Sequence, residues 1–341
     1  MKTTQILLTE RPVGAPTVET FRMAETELPA LKDGEVLLRV IYLSLDPYMR
    51  GRMSDARSYA APVEVGGLMG GGTVCEVIES KNPKHKTGSF VQSMSGWQSH
   101  AISDGADLRR LDPADAPIST SVGVLGMPGL TAYVGLLDIG EPKEGETVVV
   151  SAASGAVGSV VGQLAKIRGA RAVGVAGSPE KVAFVTAELG FDACVSHRSA
   201  TLAQDLAAAC PKGADVYFEN VGGATLDAVL PLMNPFGRMP VCGMISLYNA
   251  TSMDEGPARA RLMRQILTDR LKVQGFIVTD RWNRFPDFIK EVGGYIRDGK
   301  LKYRESITDG LENAPSAFIG LLQGENFGKQ LVRVSADPTR E

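Results

Sequence analysis

Hydrophobic and polar positions follow different patterns in the two parts of the chain. Up to about residue 124, short apolar and β-branched segments alternate with Gly and Pro, most clearly at residues 35–45, 73–78 and 89–94. This pattern is typical of β-strands. It predicts a compact β-rich domain, in which the glycine cluster at residues 66–72 marks a turn or a close approach of the backbone.

From about residue 125, predicted strands alternate with glycine turns and helices. An amphipathic helix is predicted at residues 156–168, where Val157, Val160, Val161, Leu164 and Ile167 share one face. Such alternation favours a parallel, doubly wound α/β sheet of the Rossmann type. The predicted strands are residues 147–151, 171–176, 193–196, 215–220, 238–242 and 272–278.

The C-terminal part changes character again after a predicted helix at residues 287–298. Residues 311–323 suit one more helix and residues 328–334 a closing strand. We expect this tail to return to the first domain. The predicted division is therefore 1–124 with 305–341 for the β-rich domain and 125–304 for the Rossmann domain, with the active site expected between them.

Composition narrows the class of partner. The 341 residues carry 44% hydrophobic residues, which is enough to bury cores in two domains, and a net charge of −3, which provides no basic surplus for a nucleic acid. The N-terminus lacks a signal-peptide core, so a cytoplasmic location is expected. The uncharged run at residues 147–165 is interrupted by Ser151, Ser154, Gly155 and Gly158, which favours a strand, turn and helix over a membrane span.

The residues that could bind a metal are few and widely spaced. The four cysteines form no Cys-x-x-Cys pair, and the three histidines form no pair at ligand spacing. A zinc site or a disulfide framework is therefore not expected.

A dinucleotide site is predicted where the first strand of the second domain meets its helix. The segment TVVVSAASGAVG places Gly155-x-x-Gly158 between a buried strand and an amphipathic helix, so that backbone N–H groups and the helix dipole can face a pyrophosphate. An ordinary strand-to-helix turn in another α/β protein is the alternative.

The choice of NADPH over NADH follows from charge. The second strand ends in Val175-Ala176-Gly177-Ser178 without the carboxylate that binds a ribose 2′-hydroxyl, and Lys181 follows. Lys181, with His197 and Arg198 after the third strand, would attract a 2′-phosphate, although Glu180 weakens this attraction. Lys181 as a solvated helix lysine and His197 as a surface histidine remain alternatives.

Several strings resemble the zinc-independent branch of the medium-chain dehydrogenase/reductase superfamily. They are DPYMR, GMPGLTAY, AASGAVGSVVGQLAK, ENVGG, CGMISLYN, GFIV and ENFGK. Within that branch the chain is similar to prostaglandin reductases (leukotriene B4 12-hydroxydehydrogenases), plant double-bond reductases and, most of all, bacterial NADPH-dependent curcumin reductases. The resemblance implies a GroES-like catalytic domain made from both chain ends, a Rossmann domain that binds NADPH, and a homodimer.

The resemblance also implies which residues bind the cofactor. Many relatives have tyrosine in place of His197, and the regions that bear zinc ligands in the zinc-dependent branch read LSLDPYMR and GGLMGGG here. The implied cofactor-binding residues are Ser154, Gly155, Ala156 and Val157 at the pyrophosphate, Lys181 and His197 at the 2′-phosphate, and Asn220, Cys242, Tyr248, Phe276, Ile277, Val278 and Asn326 at the adenosine and nicotinamide ends.

These expectations favour reduction of a conjugated double bond. Without a metal, hydride addition to an α,β-unsaturated carbonyl compound is favoured because the charge spreads into an enolate, whose oxygen one hydroxyl can stabilise. Tyr248 is the candidate donor and Tyr48 a second catalytic candidate that positions the substrate. Packing without chemistry is the alternative for both tyrosines. Trp97, Met127, Trp282 and Phe285 could line an apolar pocket, although core packing is more common for such residues.

Two rival functions stay open at this stage. A quinone reductase or an alcohol dehydrogenase would use the same scaffold, and a non-catalytic NADPH-binding protein would bind the cofactor without turnover.

Overall fold

The chain forms two units in the computed structural model, which describes residues 1–252 and 256–340. The first unit comprises Met1–Gly126 and Glu305–Glu341, and the second comprises Met127–Arg304. The described residues form fifteen strands: β1 Lys2–Leu8, β2 Phe21–Glu27, β3 Val36–Ser44, β4 Thr73–Ser80, β5 Phe90–Ser93, β6 His100–Ser103, β7 Arg109–Leu111, β8 Thr147–Val150, β9 Arg171–Ala176, β10 Ala193–Ser196, β11 Ala214–Phe218, β12 Met233–Val241, β13 Lys272–Gly275, β14 Glu305–Asp309 and β15 Lys329–Arg333.

Nine α-helices accompany these strands in the same described ranges. They are α1 Tyr48–Arg52, α2 Met127–Val134, α3 Gly158–Ile167, α4 Pro179–Ala187, α5 Leu202–Ala209, α6 Gly223–Val229, α7 Gly256–Asp269, α8 Phe285–Arg297 and α9 Ala314–Leu322. Among the described residues, no helix combines the length and the apolar character that a membrane crossing requires.

The second unit contains a six-stranded sheet in the order β10-β9-β8-β11-β12-β13. Every neighbouring pair in it is parallel. β8 is the first strand of this sheet along the chain, and later strands are added on both sides of it, as in a doubly wound sheet. Val148, Val149 and Val150 are fully buried because a central parallel strand is covered on both faces. The predicted parallel α/β sheet is confirmed.

Two glycines allow helix α3 to lie close to its neighbours. A Cβ atom on Gly158 would overlap the carbonyl oxygen of Ala152, and one on Gly162 would overlap the ring of Phe191. Leu164 and Val161 face inward and are fully buried. The helix therefore packs tightly against its neighbours, which fixes the position of its N-terminus.

The first unit is built on a mostly antiparallel sheet in the order β14-β15-β3-β4-β5-β7, with β6 also pairing with β3. The C-terminal strand β15 pairs antiparallel with β3, so the last part of the chain completes the sheet that the first part begins. A separate hairpin, β1-β2, pairs Lys2 through Leu8 with Glu27 through Phe21. Trp97 lies in the core of this unit, stacked on Phe21 at 5.5 Å and edge-on to Phe318 at 5.7 Å.

Candidate functional site

The predicted cofactor residues of the second unit follow the carboxyl ends of its parallel strands. Since all six strands run in the same direction, these ends meet at one edge of the sheet, where open α/β sheets bind ligands. The residues that follow β8, β9, β10, β11, β12 and β13 are, in that order, Ser154–Val157, Lys181, His197, Asn220, Cys242 with Tyr248, and Phe276–Val278.

The turn after β8 leads directly into the N-terminus of α3. Ala152 adopts a left-handed conformation with φ 51°, and Gly155 donates its backbone N–H to the Ala152 carbonyl at 2.9 Å. Ser154 is buried, whereas Gly155, Ala156 and Val157 are half-buried. This arrangement places a tight turn at the positive end of a ten-residue helix, as a pyrophosphate site requires.

Basic side chains converge on Gly177 at the end of β9. A Cβ atom on Gly177 would lie 3.2 Å from Nε2 of His197 and 4.0 Å from Nε of Arg198. Burial lowers the pKa of Lys181, and the charge of Arg198 lowers it further. The pKa of His197 is lowered by burial, then by Arg198 and, more weakly, by Lys181. These effects show that three basic groups lie close together, an arrangement that a bound anion would stabilise.

A carboxylate next to this cluster, Glu180, lies at the N-terminus of α4. Ser178 is the N-cap of α4, and its hydroxyl accepts a hydrogen bond from the Lys181 backbone N–H at 3.4 Å. A hydrogen bond with Ser178 lowers the pKa of Glu180. Glu180 therefore acts at the helix N-terminus, where a negative charge is favourable.

Asn220, which follows β11, is hydrogen-bonded to Ser151, which follows the neighbouring strand β8. Its backbone N–H donates to Oγ of Ser151 at 2.8 Å, and its side-chain Nδ2 donates to the Ser151 carbonyl at the same distance. Ser151 also donates to Oε1 of the buried Glu219 at 3.0 Å. The sequence analysis did not identify Ser151 and Glu219 as site residues; the available signal was a carboxylate directly after the apolar strand β11.

Cys242 does not have the properties of a nucleophile. Burial raises the pKa of its thiol to about 12, and the charge of Glu219 contributes in the same direction. The thiol therefore stays protonated near neutral pH. It is half-buried directly after β12.

Tyr248 ends the short 3-10 turn at Ile245–Leu247, which follows β12. The side chain is half-buried, and its hydroxyl oxygen lies close to the backbone at Gly243. Phe276 is half-buried and packs edge-on against Phe218, with ring centroids 6.3 Å apart. Ile277 caps the next 3-10 segment, which begins at the buried Val278.

Tyr48 and Asn326 belong to the first unit. Tyr48 begins helix α1, packs against the core of that unit, and has a guanidinium carbon of Arg52 5.7 Å from its ring centroid. Burial, with a smaller contribution from Asp46, raises the pKa of its hydroxyl. Asn326 donates from Nδ2 to the carbonyl of Gly328 at 2.8 Å, which shapes the turn before β15.

The aromatic residues considered for a pocket have different environments. Trp97 is fully buried in the core, so core packing is the correct interpretation for it. Trp282 is 42% exposed and stacks on Phe285 with centroids 5.1 Å apart. Trp282 and Phe285 therefore stay available to line a surface.

Two family models match the chain. Residues 4–111 match the N-terminal domain of oxidoreductases, and residues 156–293 match a model described as zinc-binding dehydrogenase. In the two described ranges, no group of three or more His, Cys, Asp or Glu side chains could hold a metal ion. Just before α1, Asp46 is paired with Nζ of Lys329 at 2.7 Å, and Tyr48 is not among the usual zinc ligands.

Individual relatives match almost from end to end. The NADPH-dependent curcumin reductase of Escherichia coli is 54% identical over 97% of this chain and 96% of its own length. Prostaglandin reductase 1 of Bos taurus is 45% identical over 94% of this chain and 96% of its own. The crystal structure of CurA from Vibrio vulnificus in complex with NADPH superposes with a TM-score of 0.95, at 52% identity, over 98% of this chain and 100% of that one.

These matches confirm the family that the sequence motifs indicated. Identity of this extent over both units far exceeds what a shared fold alone produces. The chain belongs to the zinc-independent, double-bond-reductase branch of the medium-chain dehydrogenase/reductase superfamily.

Proposed function

We propose that this protein is an NADPH-dependent reductase of the carbon-carbon double bond in α,β-unsaturated ketones and aldehydes. The observation that carries the proposal is the 54% identity, over nearly the whole chain, with an enzyme named as an NADPH-dependent curcumin reductase. The site at the sheet edge supports it, because a dinucleotide turn and a basic cluster occur together there.

The residues present fit NADPH. The turn at Gly155 and the N-terminus of α3 would hold the pyrophosphate. Lys181, His197 and Arg198 would hold the 2′-phosphate, since His197 and Arg198 lie beside Gly177 and Lys181 is close enough for its charge and that of Arg198 to affect each other. Asn220, Cys242, the Phe276–Val278 segment and Asn326 would contact the adenosine and nicotinamide ends.

Tyr248 carries the chemistry in this proposal. When bound, NADPH supplies a hydride for the β-carbon of the substrate. As that bond forms, the double-bond electron pair moves toward the carbonyl oxygen, and the Tyr248 hydroxyl donates a hydrogen bond to the developing enolate. One such donor typically lowers a barrier by roughly 3 to 4 kcal/mol. The α-carbon then takes a proton from solvent or from Tyr248.

Tyr48 has a supporting role in the proposal. Its hydroxyl stays protonated over the working pH range because burial raises its pKa, so it acts as a hydrogen-bond donor or an apolar wall. Packing against the core and against Arg52 fixes its ring. We assign it to substrate positioning.

A comparison of substrates tests the proposed reaction. NADPH oxidation is followed with an enone such as curcumin, a 2-alkenal and a quinone, and NADP⁺ reduction is followed with a secondary alcohol. Each assay is repeated with the non-phosphorylated cofactor. We expect turnover of the conjugated carbonyls with NADPH. A preference for the quinone or the alcohol would replace the proposal with the corresponding rival activity, and cofactor binding without any turnover would indicate a binding protein.

We also propose that the protein is a homodimer and is located in the cytoplasm. Strand β13 lies at the edge of the parallel sheet, where its outer hydrogen-bonding groups can pair with another strand. Apolar side chains on neighbouring elements are exposed to an unusual extent; they are Phe236 on β12, Met263 and Leu267 on α7, and Val273 on β13. Pairing of two such edges would cover them.

A further inference from the structure

Glu219 is a buried carboxylate at the centre of the sheet edge that carries the site. Its side chain follows β11, and the residue is 1% exposed. Oε1 accepts three hydrogen bonds: from Oγ of Ser151 at 3.0 Å, from the backbone N–H of Val221 at 2.6 Å and from that of Gly222 at 3.0 Å. One oxygen atom therefore fixes both the end of β8 and the turn after β11.

The backbone of Glu219 extends this arrangement to the next strand. Its N–H donates to the Pro240 carbonyl at 3.0 Å, and its carbonyl accepts from Cys242 N–H at 2.9 Å and Gly243 N–H at 3.1 Å. The segment that leaves β12 toward Tyr248 is thus anchored on the same residue.

The turn that Glu219 fixes also holds the Tyr248 segment directly. The carbonyl of Asn220 accepts from Ile245 N–H at 3.2 Å. The carbonyl of Val221 accepts from Ser246 twice, from the backbone N–H at 3.0 Å and from Oγ at 2.5 Å. Tyr248 N–H donates back to the Ile245 carbonyl at 3.3 Å. An unbroken series of hydrogen bonds therefore connects the Glu219 carboxylate to the backbone of Tyr248.

The second carboxylate oxygen points to a role beyond ordinary packing. Oε2 of Glu219 is buried and makes no hydrogen bond of good geometry within the described part of the chain, and the buried Tyr217 hydroxyl lies beside Glu219 and Ser151 in the same situation. Burial, with the charge of Glu219 next in size, raises the pKa of Tyr217. Burying a carboxylate in this way destabilises the folded state, and an apolar residue at this position would not carry that cost. The presence of Glu219 therefore indicates that the turn it fixes is needed.

We propose that Glu219 is a positioning residue for the reaction and that it acts through Tyr248. Its carboxylate fixes the Val221–Gly222 turn, the turn holds Ile245 and Ser246, and these residues set the place of the Tyr248 hydroxyl. This inference rests on the proposed role of Tyr248 as the hydrogen-bond donor to the enolate.

A double-mutant cycle tests the inference. Glu219→Met is compared with the parent enzyme, and Glu219→Met/Tyr248→Phe with Tyr248→Phe, by measuring kcat with an enone at saturating NADPH. We expect the methionine to lower kcat about tenfold when Tyr248 is present and less than about twofold when phenylalanine replaces it. NADPH affinity, measured by fluorescence titration, should change far less than kcat.

Glu219→Gln is the matched variant. Its amide oxygen can accept the bonds from Ser151, Val221 and Gly222, and the amide nitrogen occupies the place of Oε2. We expect it to retain most of the kcat that Glu219→Met loses. Equal losses of kcat from Glu219→Met in both backgrounds, or losses from the glutamine as large as those from the methionine, would overturn the positioning role.

Ser246→Ala provides an independent route if the methionine variant does not fold. Ser246 is exposed, so removing its hydroxyl weakens one link of the series, by deleting one of the two hydrogen bonds from Ser246 to the Val221 carbonyl, without disturbing the core. We expect a loss of about threefold in kcat that disappears in the Tyr248→Phe background. No enone turnover by the parent enzyme would refute the proposed function itself, and a Tyr248→Phe enzyme with normal kcat would refute the role of Tyr248. A slow Tyr248→Phe enzyme with additive effects of Glu219 and Ser246 would refute only this inference.

Discussion

The hydroxyl oxygen of Tyr248 lies 2.9 Å from the point that a Cβ atom on Gly243 would occupy. The glycine therefore leaves space for this hydroxyl beside the end of β12. A methyl group at Gly243 would displace the end of a flexible side chain and leave the backbone in place. The position of the hydroxyl can thus be changed with little cost to the fold.

Gly243→Ala is expected to slow catalysis without unfolding the protein. Displacing a catalytic donor by about 1 Å can cost up to roughly a hundredfold in rate, so we expect kcat with an enone to fall by about tenfold or more. Steady-state kinetics and a thermal melt of the same sample measure the two effects. In a Tyr248→Phe background the alanine should have almost no effect on kcat, and a comparable further loss there would contradict the explanation.

Tyr248→Phe removes the proposed donor itself. We expect kcat for an enone to fall by about tenfold or more, while the dissociation constant for NADPH stays nearly the same, because the phenyl ring preserves the packing. The measurement combines enone turnover with a fluorescence titration of NADPH. Normal turnover by this variant would exclude Tyr248 as the donor to the enolate.

His197 is expected to make NADPH binding depend on pH. Its pKa lies below the usual 6.5 because of burial and the neighbouring Arg198, so the ring is neutral at pH 7 in the free protein. A bound 2′-phosphate favours the imidazolium and raises that pKa, so binding takes up a proton between the two pKa values. The contribution of His197 to NADPH affinity should therefore grow as the pH falls from about 8 to about 6.

The 2′-phosphate also titrates near pH 6, so NADPH affinity depends on pH even without His197. Comparison with His197→Asn separates the contribution of His197 from that of the phosphate. The ratio of the NADPH dissociation constants of the variant and the parent should rise by about threefold or more on acidification, and the corresponding ratio for NADH should stay constant. A ratio for NADPH that does not change with pH would place His197 outside the phosphate site.

Most of the parallel sheet could be predicted because its local pattern agrees with its tertiary environment. The predicted strand at residues 171–176 matches β9, Arg171–Ala176, and the one at 193–196 matches β10, Ala193–Ser196. Buried central strands are continuous apolar segments bounded by glycine turns, so their ends are visible in the sequence. The Phe285–Arg297 helix was likewise predicted to within two residues at its start.

The exceptions occur where pairing overrides local signals. Strand β12 begins at Met233, five residues before the predicted start, and continues through Pro235 and through Phe236, which has φ 65°. Its register with β11 shifts at this point, so an apparent turn sequence is a bulge within the strand. The β1-β2 hairpin was not predicted either, because strand β2 has mostly exposed side chains and no apolar alternation.

The candidate site was predictable only in part, for a related reason. Glycine spacing and the absence of an acid after β9 are local signals, and they pointed to the turn at Gly155 and to Lys181. The bonds that Glu219 makes to Ser151, 68 residues away, depend on strand order and have no local signal. Long-range polar networks of this kind require the fold before they can be identified.

Gly162→Ala is expected to destabilise the second unit. The added methyl group would overlap the ring of Phe191, which is 4% exposed and cannot move into solvent. Overpacking of this kind costs roughly 1 to 3 kcal/mol of the free energy of unfolding. Urea denaturation followed by circular dichroism measures the change.

Gly294→Ala is the matched control, since it makes the same substitution in a helix where space is available. The nearest atom to its added Cβ is Nη2 of Arg297 at 4.0 Å. Alanine should therefore stabilise α8 by about 0.5 to 1 kcal/mol through its better helix propensity. The expected changes in the free energy of unfolding have opposite signs at the two positions because α3 is tightly packed at Gly162. A stabilising Gly162→Ala would contradict that packing.

Leu267→Glu is expected to convert the proposed homodimer into monomers. Leu267 is 77% exposed on α7, one helical turn from the exposed Met263, while Leu262 and Ile266 on the other face pack against the core. Burying an unpaired carboxylate in an interface is strongly unfavourable, so the charge should dissociate the two copies. Light scattering after size exclusion should give twice the chain mass for the parent protein and the single chain mass for the variant. Val13→Glu places the same charge on another apolar side chain, 90% exposed in the first unit, and should leave the dimer intact. A monomeric parent would refute the dimer, and a dimeric Leu267→Glu protein would show that the copies associate through a different surface.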